Sequence, residues 1–173
     1  FYFLEKLGPP LEIAKTKTTL IDGHKMAYVQ EGRGPNLLLV HGLGASKFCW
    51  RLIFQSLTKN YRVTAIDLIG FGESDKPTDL DYGLDAQTDR LAKFIKSKNI
   101  NPTYIVACSM GGAISLWLTK KYPELVEKLC LINPAADHKI VFFDSTGLTG
   151  MAKHFGPRIT SPFLIKKLYS RVV

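Results

Sequence analysis

A serine stands where a β-leaning run meets two glycines, in Ile105-Val106-Ala107-Cys108-Ser109-Met110-Gly111-Gly112. The helical run Ala113-Ile114-Ser115-Leu116-Trp117-Leu118 follows at once. Strand, sharp turn and helix in immediate succession leave no room for large side chains beside the turning residue. Ala107 and Gly111, two positions to either side of Ser109, are suitably small. The pattern predicts that the Ser109 hydroxyl is pushed out above the end of a sheet, at a helix N-terminus whose N–H groups and dipole favour negative charge. Such a hydroxyl becomes an acyl-transfer nucleophile when a general base stands beside it. The plainer alternative is a structural serine in a β-to-α turn.

Two further loops of small residues follow apolar runs. Leu37-Leu38-Leu39-Val40 leads into His41-Gly42-Leu43-Gly44-Ala45-Ser46, and Tyr61 to Leu68 leads into Gly70-Phe71-Gly72-Glu73-Ser74-Asp75. Glycines at 42 and 44 let a backbone approach a ligand closely. Asp67 and Asp75 are expected to hold the second turn by side-chain to backbone hydrogen bonds. No H-E-x-x-H or similar ligand spacing is present, so no metal site is expected. Neither loop has the G-x-x-x-x-G-K-[ST] frame or the dinucleotide fingerprint, and no cofactor is implied.

The elements that must carry these loops can be taken in order. Residues 1–15, with Pro9-Pro10, form an irregular lead-in. Thr16 to Leu20 and Met26 to Gln30, separated by Asp22-Gly23, predict an antiparallel hairpin. Leu37–Val40 and Tyr61–Leu68 predict strands buried on both faces. Between them, Lys47 to Leu57 predicts a helix with Phe48, Leu52, Ile53 and Leu57 near helical spacing. Gly83 to Lys98 predicts an amphipathic helix facing inward with Leu84, Thr88, Leu91 and Ile95. Tyr104 to Cys108 is the strand into the serine, about Gly111 to Lys121 a buried helix, and Val126 to Ile132 the next strand. Strands alternating with helices imply a mostly parallel sheet with helices on both faces. Ligands bind such sheets at the carboxyl ends of the strands, where the loops at His41, Asp67 and Ser109 all lie.

The 173 residues suffice for one domain with a real core, and 46% are hydrophobic. No apolar run approaches the roughly 20 residues of a membrane span. Cys49, Cys108 and Cys130 form no C-x-x-C pair and are expected to be buried thiols. The net charge is +8, with the excess concentrated beyond Lys139. A solvated surface is the simpler reading of that excess, and no nucleic-acid-binding motif accompanies it. A basic tail also suits an anionic membrane or an acidic partner, so membrane contact stays open without being indicated. The cytoplasm is the simpler compartment. The start, Phe1-Tyr2-Phe3-Leu4 before Glu5-Lys6, leaves an upstream signal or anchor in play.

With these residues placed, the chain resembles the front part of an α/β-hydrolase-fold enzyme. The matching branch includes bacterial esterases, meta-cleavage-product C–C hydrolases, haloalkane dehalogenases and epoxide hydrolases. His41-Gly42-Leu43-Gly44 resembles the family's oxyanion loop. Asp67-Leu68-Ile69-Gly70-Phe71-Gly72-Glu73-Ser74-Asp75 resembles its D-x-x-G-x-G-x-S turn, and Ala107 to Gly112 its nucleophile elbow, with Ala107 where Gly is usual. The resemblance covers about residues 16–135. It implies Ser109 as nucleophile and the backbone N–H groups of Leu43 and Met110 as oxyanion hole. His41, Gly42, Gly44 and Gly111 would support the loop and the elbow. A serine rather than an aspartate at 109 argues against dehalogenase and epoxide hydrolase chemistry.

The family order is nucleophile, acid, histidine. Asp137, about four residues past Asn133, is a candidate acid, against a plain cap-entry residue. His24 is expected at the surface. His138 and His154 fall in the cap region, and no triad role is assigned to them. The later strands with the acid and the histidine are expected beyond residue 173. Residues 1–136 would then be the N-terminal part of the core, and 137–173 the start of a helical cap. Phe142, Phe143, Phe155 and Phe163 would wall a pocket for a small apolar substrate. The expected activity is cleavage of an ester or similar acyl bond through an acyl-enzyme, with oligomeric state open. The alternatives are a C–C bond hydrolase of the meta-cleavage type, a non-catalytic receptor or scaffold, and a fragment needing a missing half. The 173 residues by themselves are expected to be almost inactive and, with Val126–Ile132 as an apolar edge, prone to aggregate.

Overall fold

The computed structural model describes residues 14–135. Its strands are β1 (Lys17–Ile21), β2 (His24–Glu31), β3 (Asn36–Val40), β4 (Arg62–Ile66), β5 (Thr103–Cys108) and β6 (Val126–Ile132). They form one sheet in the order β1-β2-β4-β3-β5-β6. The β1–β2 and β2–β4 pairs are antiparallel, while β4, β3, β5 and β6 run parallel. The predicted hairpin turn is present. Asp22 and Gly23 both have positive φ, 53° and 82°, as a two-residue turn matched to strand twist requires.

The helices are α1 (Arg51–Leu57), α2 (Leu84–Ser97) and α3 (Met110–Lys121). Because side chains alternate along a strand, Leu38 and Val40 enter one core with Met26, Ile105, Phe94 and Ile114. Leu37 and Leu39 enter the other with Val63, Trp50 and Phe54. The sheet therefore has α2 and α3 on one face and α1 on the other.

Three expectations need correction. The segment from Lys47 begins as a 3-10 turn over Lys47–Trp50 and becomes α-helical only at Arg51. Trp50 and Phe54, four residues apart, face the sheet, whereas Phe48, Leu52 and Ile53 are exposed. The cysteines are not core thiols: Cys49 and Cys130 are exposed and Cys108 is half-buried. Cys130 lies on β6, which is the sheet edge among the described residues and buries none of its side chains fully.

The start of α3 packs against the end of β3 with almost no clearance. A Cβ on Gly111 would overlap the His41 carbonyl oxygen and lie 2.6 Å from that of Val40. Both are backbone atoms and cannot give way. At Gly83, by contrast, a Cβ would meet only the Asp81 side chain, at 3.0 Å. Gly111→Ala should therefore lower stability by about 1–3 kcal/mol or more. Gly83→Ala should change it by no more than about 1 kcal/mol. Urea unfolding of the two variants makes the comparison.

Candidate functional site

Parallel register sets the site. Val40 pairs with Ile66 on one side and with Ala107 on the other. The residues that follow these strand ends, His41, Asp67 and Ser109, therefore emerge along one edge of the sheet.

Ser109 follows β5 and precedes α3 with φ 49° and ψ −118°. That is a left-handed conformation rare for a residue with a side chain. Hydrogen bonds on both sides hold it there. Its N–H donates to Ile132 O at 3.1 Å, and its carbonyl accepts from Gly112, Ala113 and Ala135 at 2.9, 3.2 and 3.0 Å. A serine preceding a helix commonly caps it with its hydroxyl. The Ser109 side chain makes no such cap bond. Gly112 is tight as well, since a Cβ there would stand 2.7 Å from Pro134 Cβ.

The loop after β3 runs against this turn. A Cβ on Gly42 would lie 3.1 Å from Ser109 Cβ and 3.7 Å from its Oγ. Leu43, the next residue, is exposed, and Gly44 has φ 67°. Met110, at the first position of α3, is buried. Gly42, Leu43, Gly44, Ser109, Met110 and Gly111 thus lie on the two segments that meet at the edge of the sheet. Asp137, His138 and His154 lie outside the described residues.

His41 is fully buried. Its Nδ1–H donates to Gly42 O at 2.7 Å, and its Nε2 accepts the N–H of Leu68 at 3.1 Å. A backbone N–H can only donate, so Nε2 carries no proton and the ring is neutral. Burial pushes its pKa below the ordinary 6.5, outweighing the Gly42 hydrogen bond and the nearby Asp67. Both ring nitrogens are occupied in holding backbone, which leaves none for Ser109.

Asp67 is fully buried too and organises the second turn. Its carboxylate accepts the main-chain N–H of Lys47 at 2.6 Å and of Glu73 at 2.8 Å. The Ser74 hydroxyl donates to Asp67 O at 2.6 Å and accepts from Ala27 N–H at 2.8 Å, which fastens the turn to β2. Asp75 accepts Lys25 N–H at 2.7 Å. The sequence pattern anticipated Asp67 in this role, whereas the Asp75 carboxylate reaches across to β2 rather than into its own turn. It did not anticipate Lys47, whose Nζ lies 2.7 Å from Asp67 Oδ2 and 2.6 Å from Glu73 Oε2. Burial pulls the Lys47 ammonium down, and its bonds to Asp67 and Glu73 more than offset this, so its pKa is raised. Glu73 is held below the usual carboxylate range by Lys47 and by the hydroxyl of Thr16. Among the described residues, no group of three or more His, Cys, Asp or Glu could hold a metal ion.

The His41 geometry has a pH consequence. The folded pKa is depressed, so the unfolded chain binds the proton first as pH falls below about 6.5. The His41 contribution is whole above that pH and is lost as pH drops through the folded value. The thermal midpoint should fall between pH 7 and 5, and His41→Gln, which does not titrate there, should flatten that fall. An equal slope in both proteins would contradict it.

Comparison with known proteins adds four findings. Residues 35–169 match the family model described as alpha/beta hydrolase fold. The chain is 40% identical to Lipase 1 of Psychrobacter immobilis over 120 residues, 68% of this chain and 38% of that protein. It is 38% identical to the 2-hydroxy-6-oxo-6-(2'-aminophenyl)hexa-2,4-dienoic acid hydrolase of Metapseudomonas resinovorans over 117 residues, 65% of this chain and 40% of that one. Among solved structures, it superposes on a membrane phospholipase A described as a bacterial virulence factor with a TM-score of 0.70 and 32% identity. That match covers 77% of this chain and 44% of the other. The chain thus spans about two fifths of the length of these curated relatives.

Proposed function

The chain belongs to the alpha/beta hydrolase fold family, and on that footing we propose that it carries the nucleophile and oxyanion part of a serine hydrolase. Ser109 Oγ attacks an acyl carbonyl, and the carbonyl oxygen takes the negative charge. The backbone N–H groups of Leu43 and Met110 stabilise that oxyanion. Collapse of the tetrahedral intermediate expels the alcohol and leaves an acyl-enzyme, which water then hydrolyses. The single observation that carries this reading is the left-handed Ser109, uncapped and with the Gly42 backbone against it.

The general base is not His41, because both its nitrogens are engaged. The acid and the histidine belong to residues outside those described, with Asp137 a candidate acid. Residues 1–136 are read as the front of the core and 137–173 as the start of a cap. The aromatic residues Phe142, Phe143, Phe155 and Phe163 favour a small apolar acyl substrate. The likeness to the lipase supports ester cleavage. The likeness to the dienoic acid hydrolase supports a second reading, C–C cleavage with the same Ser109.

The test is turnover of p-nitrophenyl esters against a vinylogous diketone by the full natural chain. Ester hydrolysis should show a burst of one p-nitrophenolate per chain, and Ser109→Ala should lower turnover by on the order of 10⁴–10⁶. Preferential cleavage of the diketone would select the second reading. Ester turnover unchanged by Ser109→Ala would overturn both.

A further inference from the structure

The loop from His41 to Ser46 is tied at both ends to one dipeptide, Asp67-Leu68. At its start, His41 Nε2 accepts the Leu68 N–H at 3.1 Å. Just past its end, Lys47 takes hold of Asp67 twice, through its main-chain N–H at 2.6 Å and its Nζ at 2.7 Å. Asp67 itself has little freedom. Its N–H donates to Ala27 O at 2.8 Å, its carbonyl accepts from Ser74 Oγ, and Gly72 passes so close that a Cβ would overlap the carboxylate. From the outer side, Glu73 reaches Lys47 Nζ at 2.6 Å and is steadied by Thr16 Oγ1 at 2.8 Å.

A buried ion pair is a poor device for stability alone, because desolvation offsets most of the attraction. Here it does something a hydrophobic contact could not. The segment between the two ties contains Gly44, whose backbone has wide freedom. Gly44 has φ 67° and nothing within 4 Å of a built Cβ. Gly42 is held by His41 Nδ1 and by the Ala45 N–H, which donates to its carbonyl at 3.3 Å. Leu43 and Gly44 beyond it are exposed, and the double hydrogen bond to a rigid carboxylate fixes the exit of that outer part.

We propose that Lys47 is a positioning residue that sets the place of the Leu43 N–H relative to Ser109. It touches neither substrate nor reacting atoms and acts through the loop. The inference rests on Ser109 being the nucleophile and Leu43 an oxyanion donor. The Asp67 side chain is the fixed post and the Lys47 ammonium the tie. Glu73, being largely exposed, only shields the outer side.

The test compares Lys47→Met and Lys47→Arg with the parent in the full natural chain, with rates expressed per serine titrated by a fluorophosphonate. Expressed this way, a loss of folded protein does not enter the result. Binding of a trifluoromethyl ketone is measured alongside. Ser109 Oγ adds to its carbonyl carbon, the hydroxyl proton passes to the base, and the oxygen becomes an oxyanion that needs the same donors. Loss of a whole oxyanion donor costs on the order of 10²–10³, so a displaced one should cost about 10- to 100-fold. Lys47→Met is expected to lower kcat by that factor with KM nearly unchanged, and to weaken the ketone equally. Lys47→Arg, which keeps a cation on Asp67, should recover most of both. Should Lys47→Met yield no folded protein, Lys47→Gln, which keeps a donor without the charge, is read in the same way. Unchanged kcat per serine and unchanged ketone binding overturn the role of Lys47 while leaving the nucleophile standing. A parent chain that does not label at Ser109 overturns both.

Discussion

The left-handed backbone at Ser109 is the constraint around which the rest is arranged. A residue with a side chain in that conformation costs on the order of 1–3 kcal/mol, and such strain persists only where the surroundings over-determine it. Here they do. β6 supplies the Ile132 carbonyl for the Ser109 N–H, and the first turn of α3 together with Ala135 supplies three N–H groups for its carbonyl. Gly111 and Gly112 are small because β3 and Pro134 stand where their side chains would be. The strain turns a helix-capping residue type away from its helix and leaves its hydroxyl beside the Gly42 backbone. A serine in an unstrained β-to-α turn would spend that hydroxyl on the cap.

The second layer of the site is a set of buried polar groups that face one another across loops distant in sequence. His41, Asp67, Ser74 and Lys47 are all buried. Each makes hydrogen bonds to backbone or to another member of the set. Such a network must be fully satisfied to be tolerated, and when it is, it favours one arrangement of the loops over its neighbours. The alpha/beta hydrolase fold of this chain uses it to fasten the two glycine loops to β2 and to each other. The glycines let the backbone come close, and the buried side chains keep it there.

Much of this is legible in the sequence because the relevant signals are local. The hairpin at Asp22-Gly23, the strand ending at Cys108 and the small residues flanking Ser109 each follow from neighbours within a few positions. The parallel order follows from alternation of strand and helix. What escaped depends on long-range pairing or on helical phase. Lys47 stands at the head of a helical stretch, and nothing within ten residues indicates the Asp67 carboxylate with which it is buried. Several stripes of the segment from Lys47 have helical spacing, and the one that meets the sheet is Trp50 and Phe54 with Leu57 against the same core, which leaves Phe48, Leu52 and Ile53 outward. The exposure of Cys49 and Cys130 likewise depends on position at a turn and at a sheet edge, which composition does not encode.

The most direct measurement is intact mass of the full natural chain before and after a fluorophosphonate, with Ser109→Ala alongside. A single adduct on the parent, absent from Ser109→Ala, is the result expected of a strained and activated serine at the elbow. No adduct on the parent, or an adduct that survives in Ser109→Ala, would mean that the turn at Ser109 is structural and that the hydrolase fold here lacks a working nucleophile.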